Sequence, residues 1–311
     1  MDGSGGSDAV AVENRLFIFK MNAPPVPALR LSSMTAPRIL LFTLLAMIAF
    51  AGNSLLCRLA LKAGEIDAAS FTSLRLVSGA VILAVLVLLR HRRLPREGGW
   101  LSAFALFAYA AAFSFAYLSL MAGTGALLLF GAVQTLMIGY GLYKGERFHA
   151  RQWLGLGLAA AGLVGLLLPG ISAPPLVGSL LMIVAGIAWG VYSLRGRGAG
   201  DPTLVTAGNF LRAVPFALAT SLIAVDQATA SPAGVAYALA SGAIASGLGY
   251  ALWYAVLPAL KASSAATVQL SVPVLAALGG VVFLGEAVSL RLALASVAVL
   301  GGIALVIVRR R

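Results

Sequence analysis

The 311-residue chain is 60% hydrophobic and only 10% charged, with a mean hydropathy of +0.98, whereas soluble domains carry about 25% charged residues. That composition excludes a water-soluble globular domain and calls for a bilayer as solvent. The formal net charge of +12 sits at the ends of apolar segments, which points to a membrane surface and away from nucleic acid.

Residues 1–33 hold Gly-Ser and Pro-rich stretches and one apolar patch, Leu16–Phe19, too brief for the apolar core of a signal peptide. They read as a disordered extension, an artificial leader or an upstream start, within an N-terminal extension assigned to residues 1–38, with Met34 a natural beginning. Ten apolar segments follow: Ile39–Leu61, Ala69–Leu89, Trp100–Leu120, Gly123–Tyr143, Gln152–Leu168, Leu176–Leu194, Thr203–Val225, Pro232–Leu257, Ser263–Leu284 and Val288–Val308. At 1.5 Å per residue each is long enough to cross roughly 30 Å of hydrocarbon as a helix. The expected fold is therefore an all-α integral membrane protein. Pro169-Gly170 and Ala173-Pro174-Pro175 mark a seam between a first five-helix half, 39–172, and a second, 173–311.

Cations crowd alternate loops: Arg90, Arg92, Arg93 and Arg96; then Lys144, Arg147 and Arg151; then Arg195 and Arg197, Lys261, and Arg309 to Arg311. The positive-inside rule puts these loops, and both termini, on the cytoplasmic side of the membrane. Arg58, Lys62 and Arg291 break the pattern. The single cysteine, Cys57, excludes an intramolecular disulfide.

The two halves are related. Gly145-Glu146, Arg151, Leu154 and Ala161-Gly162 return 140 residues later as Gly285-Glu286, Arg291, Leu294 and Gly301-Gly302. Gly52 pairs with Gly190 at 138 residues, and Leu74-Arg75 with Leu211-Arg212 and Tyr117 with Tyr254 at 137. Five crossings per half is an odd number, so the second repeat must lie inverted relative to the first, which accounts for Arg291 facing opposite to Arg151. Inverted repeats are a transporter signature.

These residues carry a resemblance. A five-plus-five chain with Trp189-Gly190, Arg75 and Arg212 early in each half's second helix, Gly145-Glu146 and Gly285-Glu286 between fourth and fifth, and Pro273 in the ninth resembles the drug/metabolite transporter superfamily of the EamA type. The stretch from Phe50 to Ala60 is similar to that superfamily's bacterial exporter branch, and overall the chain most resembles its exporters of aromatic amino acids. The match departs at Phe50-Ala51-Gly52, where many relatives have Trp-Gly, and at Val133, the repeat partner of Pro273. The resemblance implies an exporter of small metabolites with no cofactor; its motifs do not fix the substrate.

Read residue by residue, aromatic side chains form the first candidate group. Tyr109, Phe113 and Tyr117 share a face at i, i+4, i+8; Trp189 and Tyr192, and Tyr250, Trp253 and Tyr254, form others. Packing or an interfacial belt is the plain alternative to a stacking wall for substrate side chains. Asn53, Gln134 and Gln269, with Ser54 and Asn209, are amides and a hydroxyl inside apolar segments, suited either to interhelical hydrogen bonds or to the polar groups of an amino acid. Arg75 and Arg212, costly in hydrocarbon, are candidates for recognising a carboxylate or for binding backbone carbonyls. Pro258 and Pro273 are candidate hinges. Gly123, Gly125, Gly131, Gly139, Gly247, Gly249, Gly279 and Gly280 are assigned to close helix packing.

Glu65, Asp67, Glu97, Glu146, Asp201, Asp226 and Glu286 fall in or beside loops, as do His91 and His149. Glu146 and Glu286 are the remaining candidates for carrying a proton, as a drug or metabolite/proton antiporter would require, but are expected to anchor beside Lys144, Arg147 or Arg291, and no intramembrane proton relay is expected. No metal-ligand spacing, catalytic serine pattern or phosphate-binding loop is present, which argues against an enzyme and an ATP-driven pump. Carriers remain, with a channel less favoured. A nucleotide sugar wants clustered cations and a lipophilic cation wants an acid, so a zwitterionic amino acid fits best. The expected partners are that substrate and the lipid bilayer, with no nucleic acid and no obligate protein partner. Helices one, three, four, six, eight and nine should line the cavity.

Overall fold

A computed structural model describes residues 35–145, 147–170, 172–196, 199–260 and 262–307. Residues up to 34, Glu146, Arg197, Lys261 and Arg309 to Arg311, to which several expectations attach, lie outside the described residues. Residues 35–38, inside the span assigned to the extension, lead into and begin α1 (Ala36–Lys62); α1 from Leu40 on and the remaining helices belong to the unit Leu40–Arg311.

Among the described residues nine further membrane helices succeed α1: α2 (Ala68–His91), α3 (Trp100–Tyr117), α4 (Ala122–Tyr143), α5 (Ala150–Leu167), α6 (Leu176–Gly196), α7 (Pro202–Ile223), α8 (Pro232–Ala259), α9 (Ser264–Leu284) and α10 (Leu290–Ile307). All but α7 carry an unbroken apolar window long enough to span a membrane. α7 has the length, at 22 residues, but Asn209 and Arg212 interrupt its apolar run. Among the described residues the extended structure is one isolated bridge, Ile66 with Ala230.

Local chemistry sets the ends. Asp67 caps α2 by accepting from the Ala69 and Ser70 N–H groups, Asp201 caps α7 ahead of Pro202, and Ser231 caps α8 ahead of Pro232. Gly285 stops α9 in the left-handed conformation at φ 63°, and Gly145 follows α4 at φ 91°. The glycine of both Gly-Glu motifs is thus a helix stop that a residue with a Cβ adopts only under strain.

Repeat-related helices pack on one another: α2 on α7, α4 on α9 and α5 on α10. This is the arrangement an inverted duplication gives about a two-fold axis. The α5–α10 contact is backbone-close, since a Cβ on Gly155 would stand 2.5 Å from the Gly302 carbonyl oxygen. α6 packs on both α3 and α4. α1 is held by side chains: Phe50 against Tyr250 and Trp253, Asn53 against Ser241, and Arg58 against Glu286.

Two helices are irregular. α8 begins as an α-helix over Pro232–Leu239, widens to a π-helix over Ala240–Leu248, resumes over Gly249–Val256 and closes in a 3₁₀ turn, Leu257–Ala259. Pro258 lies in that last turn, so it ends a helix instead of bending one. α9 is interrupted at Leu270, where Pro273 has no N–H to offer the Gln269 carbonyl.

Candidate functional site

Between the repeats lies a cavity of about 530 Å³, within the range typical of small-molecule sites. The i, i+4 spacing on α3 turns Tyr109 and Phe113 toward it, and α6 supplies Trp189 and Tyr192. α8 contributes Tyr250 and Trp253, while Asn53, Gln134 and Gln269 enter from α1, α4 and α9. Nine of the ten residues singled out as substrate-binding therefore meet at one cavity. Its aromatic wall is continuous: Trp189 lies 4.9 Å from Tyr109, 5.3 Å from Tyr192 and 5.2 Å from Tyr250 between ring centroids, the last pair stacked at 22°.

Tyr117 is the exception. It is fully buried outside the cavity lining, its ring presses on Gly125, and its hydroxyl donates to the Ala122 carbonyl at 3.1 Å. Beside it the Arg58 guanidinium donates to the carbonyls of Tyr117 (2.8 Å) and Leu118 (3.2 Å) and pairs with Glu286 at 3.1 Å. The second Glu286 oxygen accepts the Ala122 N–H at 2.8 Å. Glu286 is thus anchored by a cation from α1 and not by Arg291, which reaches the Leu168 carbonyl. Together these contacts tie the ends of α1, α3 and α9 to one another. At one end of the cavity the lining runs out to exposed Gly200 and Pro202 and to Leu257, and it includes Tyr254.

The two membrane arginines part company. Arg212 donates to the carbonyls of Glu97 (2.7 Å), Gly208 (2.9 Å) and Arg96 (2.9 Å). It staples the α2–α3 loop to α7 and stands outside the cavity lining, so carboxylate recognition does not fall to it. Arg75 is 1% exposed and sits directly behind the wall, its guanidinium carbon 5.0 Å from the Tyr109 ring centroid and 4.9 Å from that of Phe113. One terminal nitrogen donates to the Tyr109 hydroxyl at 2.9 Å and Nε faces the Ser246 hydroxyl at 3.4 Å. The other, Nη1, is buried without a partner.

Residue reasoning left α7 out of the lining, yet Val205, Thr206 and Asn209 contribute to it; the amide of Asn209 was the signal, and it also accepts the Gly99 N–H at 2.9 Å. Phe50 and Ser246 were missed as lining residues as well. Among the described residues the lining holds no Asp, Glu, His, Lys or Arg, and no group of His, Cys, Asp or Glu is placed to hold a metal ion. Outside the spanning segments, burial opposes ionisation of Asp67, but hydrogen bonds from Ser70, Thr229 and Ala69 outweigh it and hold the carboxyl below the usual range.

The profile of the EamA-like transporter family matches twice, over residues 37–168 and 176–308, one match for each half. The chain belongs to the EamA-like transporter family. This EamA-like transporter is a multi-pass membrane protein of two five-helix repeats. It is 61% identical over 274 residues to an uncharacterized protein of Pseudomonas aeruginosa, covering 88% of this chain and 96% of that one. It is 34% identical over 137 residues to the threonine/homoserine exporter RhtA of Escherichia coli, covering 42% of this chain and 45% of RhtA. A solved crystal structure matches 88% of this chain and 98% of its own with a TM-score of 0.63 at 19% identity, which speaks to the fold alone.

Proposed function

We propose that this EamA-like transporter exports amino acids, aromatic and other neutral ones, and related small metabolites across the bacterial inner membrane by alternating access. The observation that carries the reading is the pairing of an aromatic wall with a buried cation. Trp189 and Tyr250 offer apolar faces to a variable side chain, and Arg75, behind Tyr109, supplies positive charge suited to a carboxylate. RhtA, described as a threonine/homoserine exporter, supports amino acids as the substrate class. On this reading the chain as a whole resembles the aromatic amino-acid exporter YddG, which favours large apolar side chains.

Alternating access follows from the inverted repeat. On this reading the contacts of Arg58, Tyr117 and Glu286 shut one end, the end where the lining reaches Tyr254 and exposed Pro202 is open, and by the loop charges the open end faces the cytoplasm, with both termini on that side. A substrate would load there for export. Transport proceeds without an intramembrane proton relay, consistent with a lining of aromatic, apolar, hydroxyl and amide groups.

The test is counterflow of radiolabelled amino acids into liposomes holding the purified protein, with and without an imposed pH gradient. Saturable counterflow indifferent to the gradient is expected. Counterflow that appears only with the gradient would replace this reading with a proton antiporter; ion conductance without saturation would make it a channel.

A further inference from the structure

Ser241 has no place in the aromatic wall. It lies in the first turn of the π segment of α8, fully buried, where a Cβ on neighbouring Gly242 would stand 2.1 Å from the Arg75 carbonyl oxygen. That close approach brings Ser241 into line with a chain of side chains crossing from α8 to α2. Its hydroxyl donates to Oδ1 of Asn53 at 2.6 Å. The amide is thereby turned so that Nδ2 faces the Tyr109 hydroxyl at 3.4 Å, and the same phenol oxygen accepts from Arg75 at 2.9 Å.

A phenol oxygen has two acceptor sites and one proton to give. With Asn53 and Arg75 both arriving as donors, its acceptor capacity is spent and its own proton must be directed elsewhere, and Tyr109 lines the cavity. Asn53, also in the lining, has its acceptor occupied by Ser241 and keeps a second N–H. Arg75 keeps Nη1 without a partner. Around Tyr109 this corner therefore presents mostly hydrogens, the Ser246 hydroxyl oxygen already accepting from Arg75, around a buried cation that no Asp or Glu among the described residues offsets. A group that brings negative charge and several lone pairs relieves that imbalance; an ammonium would add to it.

We propose that Ser241 is a positioning residue that fixes this corner as a donor-rich cradle, and that the cradle takes the carboxylate of the substrate. The inference rests on the amino-acid reading of the cavity and deepens it. The substrate lies with its carboxylate toward Tyr109 and Arg75 and its side chain along Trp189 and Tyr250. Without the Ser241 hydroxyl the Asn53 amide is free to turn over, offering its oxygen where the cradle needs a hydrogen.

The experiment is competition against L-phenylalanine counterflow by 3-phenylpropionate, which keeps the carboxylate and lacks the amine, and by phenethylamine, which does the reverse. In the unmodified protein 3-phenylpropionate should compete at least about tenfold better than phenethylamine, the discrimination expected of one charged hydrogen-bonding site. Ser241→Ala should raise the KM for L-phenylalanine by about tenfold at nearly constant maximal rate and erase the preference for the acid. Ser241→Thr should restore both. Asn53→Asp, which replaces the inward N–H by a lone pair and a charge, should disfavour 3-phenylpropionate further. A structural role for Ser241 would lower protein abundance and maximal rate and leave the competitor ratio alone, and that result overturns the proposal. Equal competition by acid and amine overturns it while leaving an aromatic substrate in place. Failure of L-phenylalanine and both competitors to bind overturns the proposal together with the amino-acid reading.

Discussion

Tyr117 and Tyr254, repeat partners 137 residues apart, occupy opposite kinds of place: Tyr117 is fully buried beneath the Arg58–Glu286 pair, whereas Tyr254 lines the cavity near its open end. Sequence symmetry with structural asymmetry is what one half-cycle of an inverted-repeat carrier looks like. The Arg58 and Glu286 side chains are 11% and 8% exposed, and removing one member of a buried pair costs about 3–5 kcal/mol by leaving the other uncompensated. Glu286→Gln should therefore bias the protein away from the closed state. With Ser54, on the cavity wall one turn before Arg58, changed to Cys in a Cys57→Ser background, a membrane-impermeant thiol reagent should label unmodified Glu286 protein from the open end only. In Glu286→Gln it should label from both faces. Labelling still confined to one face would remove the pair from the gate.

The stacked Trp189–Tyr250 pair predicts a graded effect. An aromatic contact of this kind contributes about 0.5–1.5 kcal/mol beyond burial, so Trp189→Ala should raise the KM for an aromatic amino acid by a factor of about 2–10. Trp189→Phe should recover most of it. Tyr109→Ala should reduce transport more, because it strips Arg75 of a hydrogen-bond partner and a ring. Normal transport by both alanine variants at normal abundance would take the wall out of the site.

Arg212 predicts the reverse pattern. Its three carbonyl contacts hold the loop at Arg96 and Glu97 against α7, and hydrogen bonds to a charged group contribute about 1.5–3 kcal/mol each. Arg212→Ala should lower the melting temperature in detergent by several degrees and leave the KM of the folded fraction unchanged. A raised KM at unchanged melting temperature would return Arg212 to the binding site.

Arg75 and Arg212 also show where sequence reading stops. They hold equivalent positions in the two repeats, and periodicity treats them alike; what separates them is the neighbour each guanidinium meets, aromatic rings of α3 for one and loop carbonyls for the other. Segment lengths and the shared face of Tyr109 and Phe113 were readable because they depend on local spacing alone. The partner of Glu286 was not, since Arg58 lies 228 residues away in sequence while Arg291 is close by. The π segment was equally hidden: Ser241 to Gly249 is rich in glycine and serine, which fit a tight helix contact and a widened turn equally well. The contact of Ser241 with Asn53 spans 188 residues of sequence and joins α8 to α1.

Asp67 gives the pH dependence. Its carboxylate caps α2 and also accepts the Thr229 N–H at 3.1 Å, tying the α1–α2 loop to the segment before α8. Its folded pKa lies below the ordinary value, so the unfolded chain binds the proton more readily. The stabilisation is complete above the unfolded pKa, about 3.9, and is lost as pH falls through the lower folded value. Thermal stability should therefore be insensitive to this group at neutral pH and should decline below about pH 4. Asp67→Asn should flatten that acid limb, and Asp67→Ala should in addition cost about 1 kcal/mol at pH 7 through the lost cap. An acid limb of unchanged steepness in Asp67→Asn would assign the pH dependence to other carboxylates.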